Sequence, residues 1–344
     1  MQVFEEIQVL VSQQKPFVCY VKPNESVWNL LIQQTDEINA FSNQAGFIFV
    51  PFHGENQVVI PFEGNLFIQG NLSVLEKLTV VNLTSESNQK GAFENLVSKG
   101  VLAIQQGEFD KVVLSRKMVL KKQISIVATF QNLIATYPTA FRYLFFHPKI
   151  GLWMGATPEQ LVKINQNHFE TVALAGTQLY ADNVIWETKE KEEQQFVTNY
   201  ILDKVTSKVN ELIVTDAETV KAGNLAHLKS LISGELTADF QVSDLIKTLH
   251  PTPAVCGLPK DKTIDFILKN EGYNRKYYAG FLGEYNKNNQ TDLFVNLRCL
   301  EVENDVVNIY VGCGITKDSN PEKEFIETEN KSMTMINILV SKTF

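Results

Sequence analysis

Glu324, Glu327 and Lys331 stand at i, i+3 and i+7 in the run PEKEFIETENKSMTMINIL, which Pro321 opens and no later Gly or Pro interrupts. At about 100° per residue this spacing puts two carboxylates and an ammonium on one helix face. The preceding residues, NIYVGCGI, alternate apolar side chains at Ile309 and Val311 before Gly312 and Gly314. The expected order is therefore strand, glycine turn, helix. Backbone N–H groups at Gly312 and Gly314 are shielded by no Cβ, and such a turn can receive an anion. The same pattern also fits a solvated surface helix after a tight turn, because charged i,i+3 faces are common.

These residues need elements to position them, and composition bounds what those can be. The chain has 344 residues, 44% of them hydrophobic, which suits a well-cored protein of one large domain. No apolar run approaches the roughly 18 residues of a membrane span, and MQVFEEIQVL lacks the basic start and hydrophobic core of a signal. No membrane partner and a cytoplasmic location are expected. Cys19, Cys256, Cys299 and Cys313 are scattered without CxxC spacing and read as reduced thiols. A net charge of -8, with no basic block interleaved with aromatics, argues against nucleic acid.

In chain order, hydrophobic spacing predicts a helix over 4–11, a strand over 17–21 and a helix over 27–32. An apolar hairpin, FIFVPFHGENQVVIPF, turns at 53–56. A helix over 88–106 ends at Gly107, followed by a strand over 111–120 and a helix over 126–135. Strands over 141–146, 152–155, 161–164 and 169–175 follow, with Glu159 in the turn between the second and third. WETKEKEEQQFVTNYILDKVTSKVNEL, 186–212, has the charge pattern of one long exposed helix. Residues 224–240 fit strand or helix, and 242–249 a short helix. LHPTPAVCGLP, with three prolines, cannot be regular structure. A helix over 260–270 and strands over 277–285 and 291–301 lead to the C-terminal stretch. With no repeat or polar linker, the expectation is one α+β domain, its strands paired mainly by hairpins and its helices outside.

Seven blocks carry a family resemblance. KVVLSR (111–116), GATPEQL (155–161), ALAGT (173–177), LHPTPAVCGLPK (249–260), YAGFLGE (278–284), LRC (297–299) and GCGITKDSNPEKEFIETENK (312–331) occur in the order and spacing of chorismate-utilising enzymes. The chain resembles isochorismate synthases most closely, over about 93–339. The resemblance implies the anthranilate synthase component I fold, two packed antiparallel sheets with helices outside, in a single chorismate-binding domain over 1–344. Within it, 1–85 would be a variable N-terminal part and 90–344 the catalytic core.

The implied reaction adds water at C2 of chorismate while the C4 hydroxyl leaves, which needs a base on one side and an acid on the other. The resemblance makes Lys111 the base and Glu159 the acid. Burial would push both toward the needed protonation states, lysine down from about 10.4 and glutamate up from about 4.3. Mg2+ is implied as cofactor, with Glu193 and Glu327 as ligands from separate helices and Glu324 close by, acting through water. Glu193 is chosen over Glu190 and Glu192 because EQQFVTNYI matches the family's EHxxVxxxI pattern. Arg298, expected on a strand, offers a planar fork for a carboxylate, and Lys331 a second cation. Gly176, Thr177, Ala254 and Gly312 match positions that line the substrate, Gly314 belongs to the same glycine pair, and His250 shapes the pocket.

Four residues depart from the family pattern: Gln194 for His, Cys313 for Ala, Cys256 for a small residue and Phe281 for Pro. None removes a charged group given a role above. Anthranilate and aminodeoxychorismate synthases usually differ at LHPTPAV, and Ala175 sits where some of the latter carry a lysine. The implied activity is isochorismate synthase, for menaquinone or siderophore synthesis. Salicylate synthase, which goes on to eliminate pyruvate, and a non-catalytic chorismate-binding protein are the alternatives. No glutaminase subunit is expected, and the chain is expected to be a monomer or weak dimer.

Overall fold

Alternate residues along the central strands enter two different cores, and this period-two sorting builds the molecule. The computed structural model describes residues 2–73, 75, 77–78, 89–222, 225–237 and 240–342. The chain begins with α1 (Gln2–Ser12), β1 (Phe17–Val21), β2 (Val27–Ile32), β3 (Gly46–Val50), β4 (Val58–Pro61) and β5 (Leu66–Asn71). Next come α2 (Lys90–Gln105), β6 (Lys111–Lys121), α3 (Ile126–Thr136), β7 (Phe141–His147), β8 (Gly151–Thr157), β9 (Gln160–Asn165), β10 (His168–Leu179) and α4 (Thr188–Val205). Then follow β11 (Val209–Val214), β12 (Glu218–Ala222), β13 (Leu225–Leu236), α5 (Val242–Leu249), β14 (Gly257–Leu258) and α6 (Lys260–Asn270). The chain closes with β15 (Phe281–Lys287), β16 (Gln290–Val295), β17 (Cys299–Glu303), β18 (Val306–Ile315) and α7 (Pro321–Ile336).

One sheet runs β14, β6, β18, β17, β8, β7, β1, β2, β5, and the other β11, β13, β10, β9, β16, β15, β3, β4, with β12 also on β13. The described pairings are antiparallel, for example along β6 and β18 from Val306↔Lys121 to Ile315↔Val112. The first 71 residues thus supply strands to both sheets. Val18, Tyr20, Phe141, Tyr143 and Phe145 enter the core shared by the sheets, where they join Phe47, Phe49, Leu282 and Phe294. Ring centroids of Phe141 and Phe294 are 4.4 Å apart, and those of Phe49 and Phe145 4.7 Å. Each such pair contributes about 0.5–1.5 kcal/mol beyond its buried area, which fixes how the sheets face each other. The intervening residues Phe17, Cys19, Val21, Leu144 and Phe146 enter a second core with Phe4 and Ile7 of α1, Phe130 and Leu133 of α3 and Met335 of α7. The expected architecture, two antiparallel sheets with helices outside, is therefore the observed one.

Several local expectations are corrected. Residues 27–32 form strand β2, not a helix: Leu31 enters one core and Leu30 and Ile32 the other. A strand covered on both faces loses its polar alternation, and its apolar run then imitates a buried helix. The helix expected over 186–212 spans Thr188–Val205 and gives way after a short 3-10 turn to β11. Residues 291–301 are two strands, and 277–280 precede β15. The glycine turn before α7 does not exist: Gly312, Cys313 and Gly314 lie inside β18, opposite Ser115, Leu114 and Val113. Their glycines answer to crowding instead. A Cβ on Gly312 would sit 2.7 Å from the Leu114 carbonyl, and one on Gly314 2.5 Å from Glu193 Oε1. The true turn falls at 316–320, where the Asn320 side chain caps α7 by accepting from the Lys323 N–H at 3.1 Å.

Candidate active site

Two places where the chain changes sheets create the site. β8 belongs to the first sheet and β9 to the second, so Pro158 and Glu159 form one crossover; β16 and β17 are divided in the same way, so residues 296–298 form the other. The crossovers are tied together. Thr157 Oγ1 donates to the Val295 carbonyl at 2.6 Å, the Val295 N–H to the Glu159 carbonyl at 2.9 Å and the Ala156 N–H to the Arg298 carbonyl at 3.0 Å. Arg298 is therefore in a bend and not in the expected strand, with φ +48 where the backbone reverses between sheets. That region disfavours a side chain by roughly 1–2 kcal/mol, and the crossover hydrogen bonds hold it there.

A cleft of about 770 Å³, its open mouth included, is lined from both sheets and from two helices. Lys111 heads β6, Glu159 and Arg298 come from the crossovers, and Glu193 comes from α4. Glu327 and Lys331 come from α7, Gly312 and Gly314 from β18, Gly176 and Thr177 from β10, and Ala254 from the proline-rich loop. Eleven residues scattered between 111 and 331 thus meet in one space. At Gly176, with φ +73, the β10–β13 ladder shifts register between Ala175 and Gln178. This bulge lets the start of α4 approach so closely that a Cβ on Gly176 would lie 3.0 Å from that of Glu190.

The electrostatics follow from burial. Lys111 is 2% exposed, and burial, helped by the charge of Lys331, pulls its pKa below the ordinary lysine value although Glu193 and Glu159 oppose this. Glu159 is 4% exposed, and burial raises it to about 7 against the pull of Lys111, Lys331 and Arg298. Both shifts run in the direction of a neutral amine and a protonated carboxyl. Glu193 is also raised, by burial first and further by Glu327. Lys331 Nζ donates to Glu327 at 2.7 Å and to the Gly312 carbonyl at 3.0 Å, so α7 is pinned onto β18.

Arg298 is held by neutral groups: it donates to Thr334 Oγ1 at 3.1 Å and to His227 Nε2 at 3.3 Å. His227 Nδ1 lies 2.9 Å from the Gly176 carbonyl, which assigns the proton to Nδ1 and the lone pair to Nε2. Burial, with Arg298 and Lys331, lowers His227 to about 3, so it stays a neutral acceptor. The guanidinium charge therefore remains available to an incoming anion.

One expected site residue lies elsewhere, and another sits just behind the cleft lining. His250 does not line the cleft; it is buried against Phe281, with Nε2 3.2 Å from the Pro51 carbonyl, and so supports the proline-rich loop. Glu324, expected near the metal, is 2% exposed behind the cleft lining and accepts from Lys189 at 2.5 Å. Gln194 does not reach into the cleft: its amide donates to Thr198 and to Ser230 of β13, each at 2.9 Å. Sequence reasoning missed Lys189, Glu190, His227, Tyr278 and Tyr310. Glu190 repeats the i,i+3 spacing that singled out Glu324 and Glu327, so a signal for it existed. His227, alone in an apolar strand, offered none.

Residues 68–340 match the family model described as chorismate binding enzyme. The chain belongs to the chorismate binding enzyme family. Among relatives of this family, it is 30% identical over 275 residues to anthranilate synthase component 1 of Archaeoglobus fulgidus, a match covering 77% of this chain and 64% of that one. It is 28% identical over 293 residues to the isochorismate synthase MenF of Pasteurella multocida, covering 78% and 67%. The chain thus spans about two thirds of these relatives' length, and just under that for the first. In fold it is similar to MenF, the menaquinone-specific isochorismate synthase from Escherichia coli, with TM-score 0.80, 21% identity and coverage of 96% and 90%. Anthranilate synthase component I from Streptococcus pneumoniae follows, with TM-score 0.70, 17% identity and coverage of 93% and 92%. The cleft brings the cations of Arg298 and Lys331 together from a crossover and from α7, an arrangement suited to an anion.

Proposed function

We propose that this protein converts chorismate to isochorismate. The observation that carries this reading is the pairing of a buried, pKa-lowered Lys111 with a buried Glu159 raised to about 7 in one cleft. Neutral Lys111 takes a proton from a water that attacks C2 of the ring. The double bonds migrate, and the C4–O bond breaks as Glu159 gives its proton to the departing hydroxyl, which leaves as water. Lys111 ends as ammonium and Glu159 as carboxylate, and solvent returns both to their starting states. One water enters and one leaves, so the product is an isomer. Arg298 and Lys331 hold the carboxylates of the substrate, and the backbone of Gly176 and Gly312 lines its edges.

Magnesium suits the same cleft. Glu193 Oε1 in the cleft lining, and Glu190 Oε2 and Glu324 Oε2 outside it, are buried carboxylate oxygens without a hydrogen-bond partner among the described residues, a state that calls for one. Among the described residues no three such groups chelate an ion unaided. Mg2+ tolerates this, since it commonly uses one or two carboxylates and completes its shell with water and substrate oxygens. Glu193 and Glu327 would hold it, and it would supply positive charge against the ring carboxylate.

Incubating the purified protein with chorismate, with and without Mg2+, and identifying the product by chromatography tests the reading. Isochorismate is expected. Salicylate with pyruvate, anthranilate formed on adding ammonium, or unchanged chorismate would each replace it. EDTA is expected to lower turnover at least ~100-fold, with full recovery on adding Mg2+; EDTA-resistant turnover would remove the metal from the scheme. Arg298→Lys, which loses the fork but keeps the charge, is expected to raise KM for chorismate roughly tenfold with a smaller change in kcat. An unchanged KM would take Arg298 out of substrate binding.

A further inference from the structure

Lys189 stands in the first turn of α4 and reaches across to α7, where its Nζ lies 2.5 Å from Glu324 Oε1. Three carboxylate oxygens nearby, on Glu190, Glu193 and Glu324, have no hydrogen-bond partner among the described residues. Glu327 is already paired along α7 with Lys331 at 2.7 Å. Burial works against the charge of Lys189, yet Glu324, Glu193 and Glu327 together outweigh it and keep this side chain firmly ammonium. A quarter of the Lys189 side chain remains exposed, so it has a way out to solvent.

We propose that Lys189 is a built-in competitor of the divalent cation, neutralising the Glu324, Glu193 and Glu327 carboxylates when no cation is bound and giving way when one binds. This rests on the magnesium reading above. The physical reason is that a cluster of buried carboxylates needs a countercharge at every moment of the cycle. An ammonium on a flexible four-carbon stem can supply it and then leave, which a rigidly forked guanidinium does less readily. Each ammonium also repels an incoming dication, so the lysine weakens metal binding to the free protein. Substrate, bringing its own carboxylate to the ion, restores the balance in favour of the metal. Metal binding is then strong only when there is a ring to act on. If Lys189 were instead a permanent strut between α4 and α7, its loss would weaken the fold equally with and without the ion.

Calorimetric titration of the full chain with MgCl2, in the absence of chorismate, separates the two. Lys189→Met is expected to bind Mg2+ at least about tenfold more tightly than the unaltered protein, and Lys189→Arg within about threefold of it. Thermal unfolding provides a second readout. Lys189→Met is expected to melt below the unaltered protein in EDTA and to recover most of that loss in Mg2+. An unchanged dissociation constant in Lys189→Met, beside clear binding by the unaltered protein, overturns this proposal alone. A melting deficit of equal size with and without Mg2+ overturns it in favour of the strut. Binding by neither protein overturns this proposal and the magnesium reading together.

Discussion

Lys111→Met is expected to lower kcat by about 10³-fold, within the range by which a positioned acid or base accelerates proton transfer. An ordinary lysine with pKa about 10.4 is neutral in only about one molecule in 2,500 at pH 7, so a lysine base acts only where its surroundings depress that value. Here the 2% exposure of Lys111 and the neighbouring Lys331 do so. Methionine keeps the length of the buried stem and removes the amine, so folding is expected to survive. Lys111→Ala is expected to be equally inactive but less stable by about 2–5 kcal/mol, the usual cost of a truncated buried chain. Steady-state rates with thermal unfolding of both variants check this. Turnover above a tenth of the unaltered rate in Lys111→Met would show that another group takes the proton.

Glu159→Gln carries the second large effect, and it acts in opposite directions on activity and stability. Glutamine cannot give a proton to the leaving hydroxyl, so turnover is expected to drop about 10²–10⁴-fold. In the unaltered protein, the acid form of Glu159 is depleted as pH rises through about 7, and the rate should fall roughly tenfold per pH unit once pH exceeds both this value and the lowered pKa of Lys111. Stability follows the same group. Between its unfolded pKa of about 4.3 and its folded value of about 7, the unfolded chain has released this proton while the folded chain retains it. The unfolded state therefore binds fewer protons, and stability declines with rising pH through that window, by about 4 kcal/mol above it. Glutamine does not titrate. Denaturant unfolding in EDTA should find Glu159→Gln more stable than the unaltered protein at pH 8 and nearly equal to it at pH 4.5. Equal stability at both pH values would show that burial does not raise this carboxyl.

The two variants divide the site by origin. Lys111 was legible as the first residue of an apolar strand opening a recognisable block, and α7 as a helix with Glu324, Glu327 and Lys331 on one face. Glu159 was expected in a turn between strands, which is where it lies, but nothing in the spacing said that this turn passes from one sheet to the other. Arg298 was expected within a strand, because the apolar residues on either side of 296–298 read as one continuous run. Gly312 and Gly314 were expected to make a turn, since a glycine pair near a helix start usually does. In the fold they lie within the β6–β18 ladder, where Gly312 lets the Leu114 carbonyl approach and Gly314 leaves room for Glu193.

By itself the sequence determined the α+β class, most element positions and the family, because period-two and 3.6-residue spacing and the order of the blocks are local properties of the chain. Only the tertiary structure decided that residues 27–32 are a strand, that Glu159 and Arg298 meet at paired sheet crossovers, and that His227 and Lys189 hold groups in and behind the cleft. The reason is physical. Burial on both faces erases the alternation that marks a strand, and a buried ammonium or imidazole is placed by partners that lie far away along the chain.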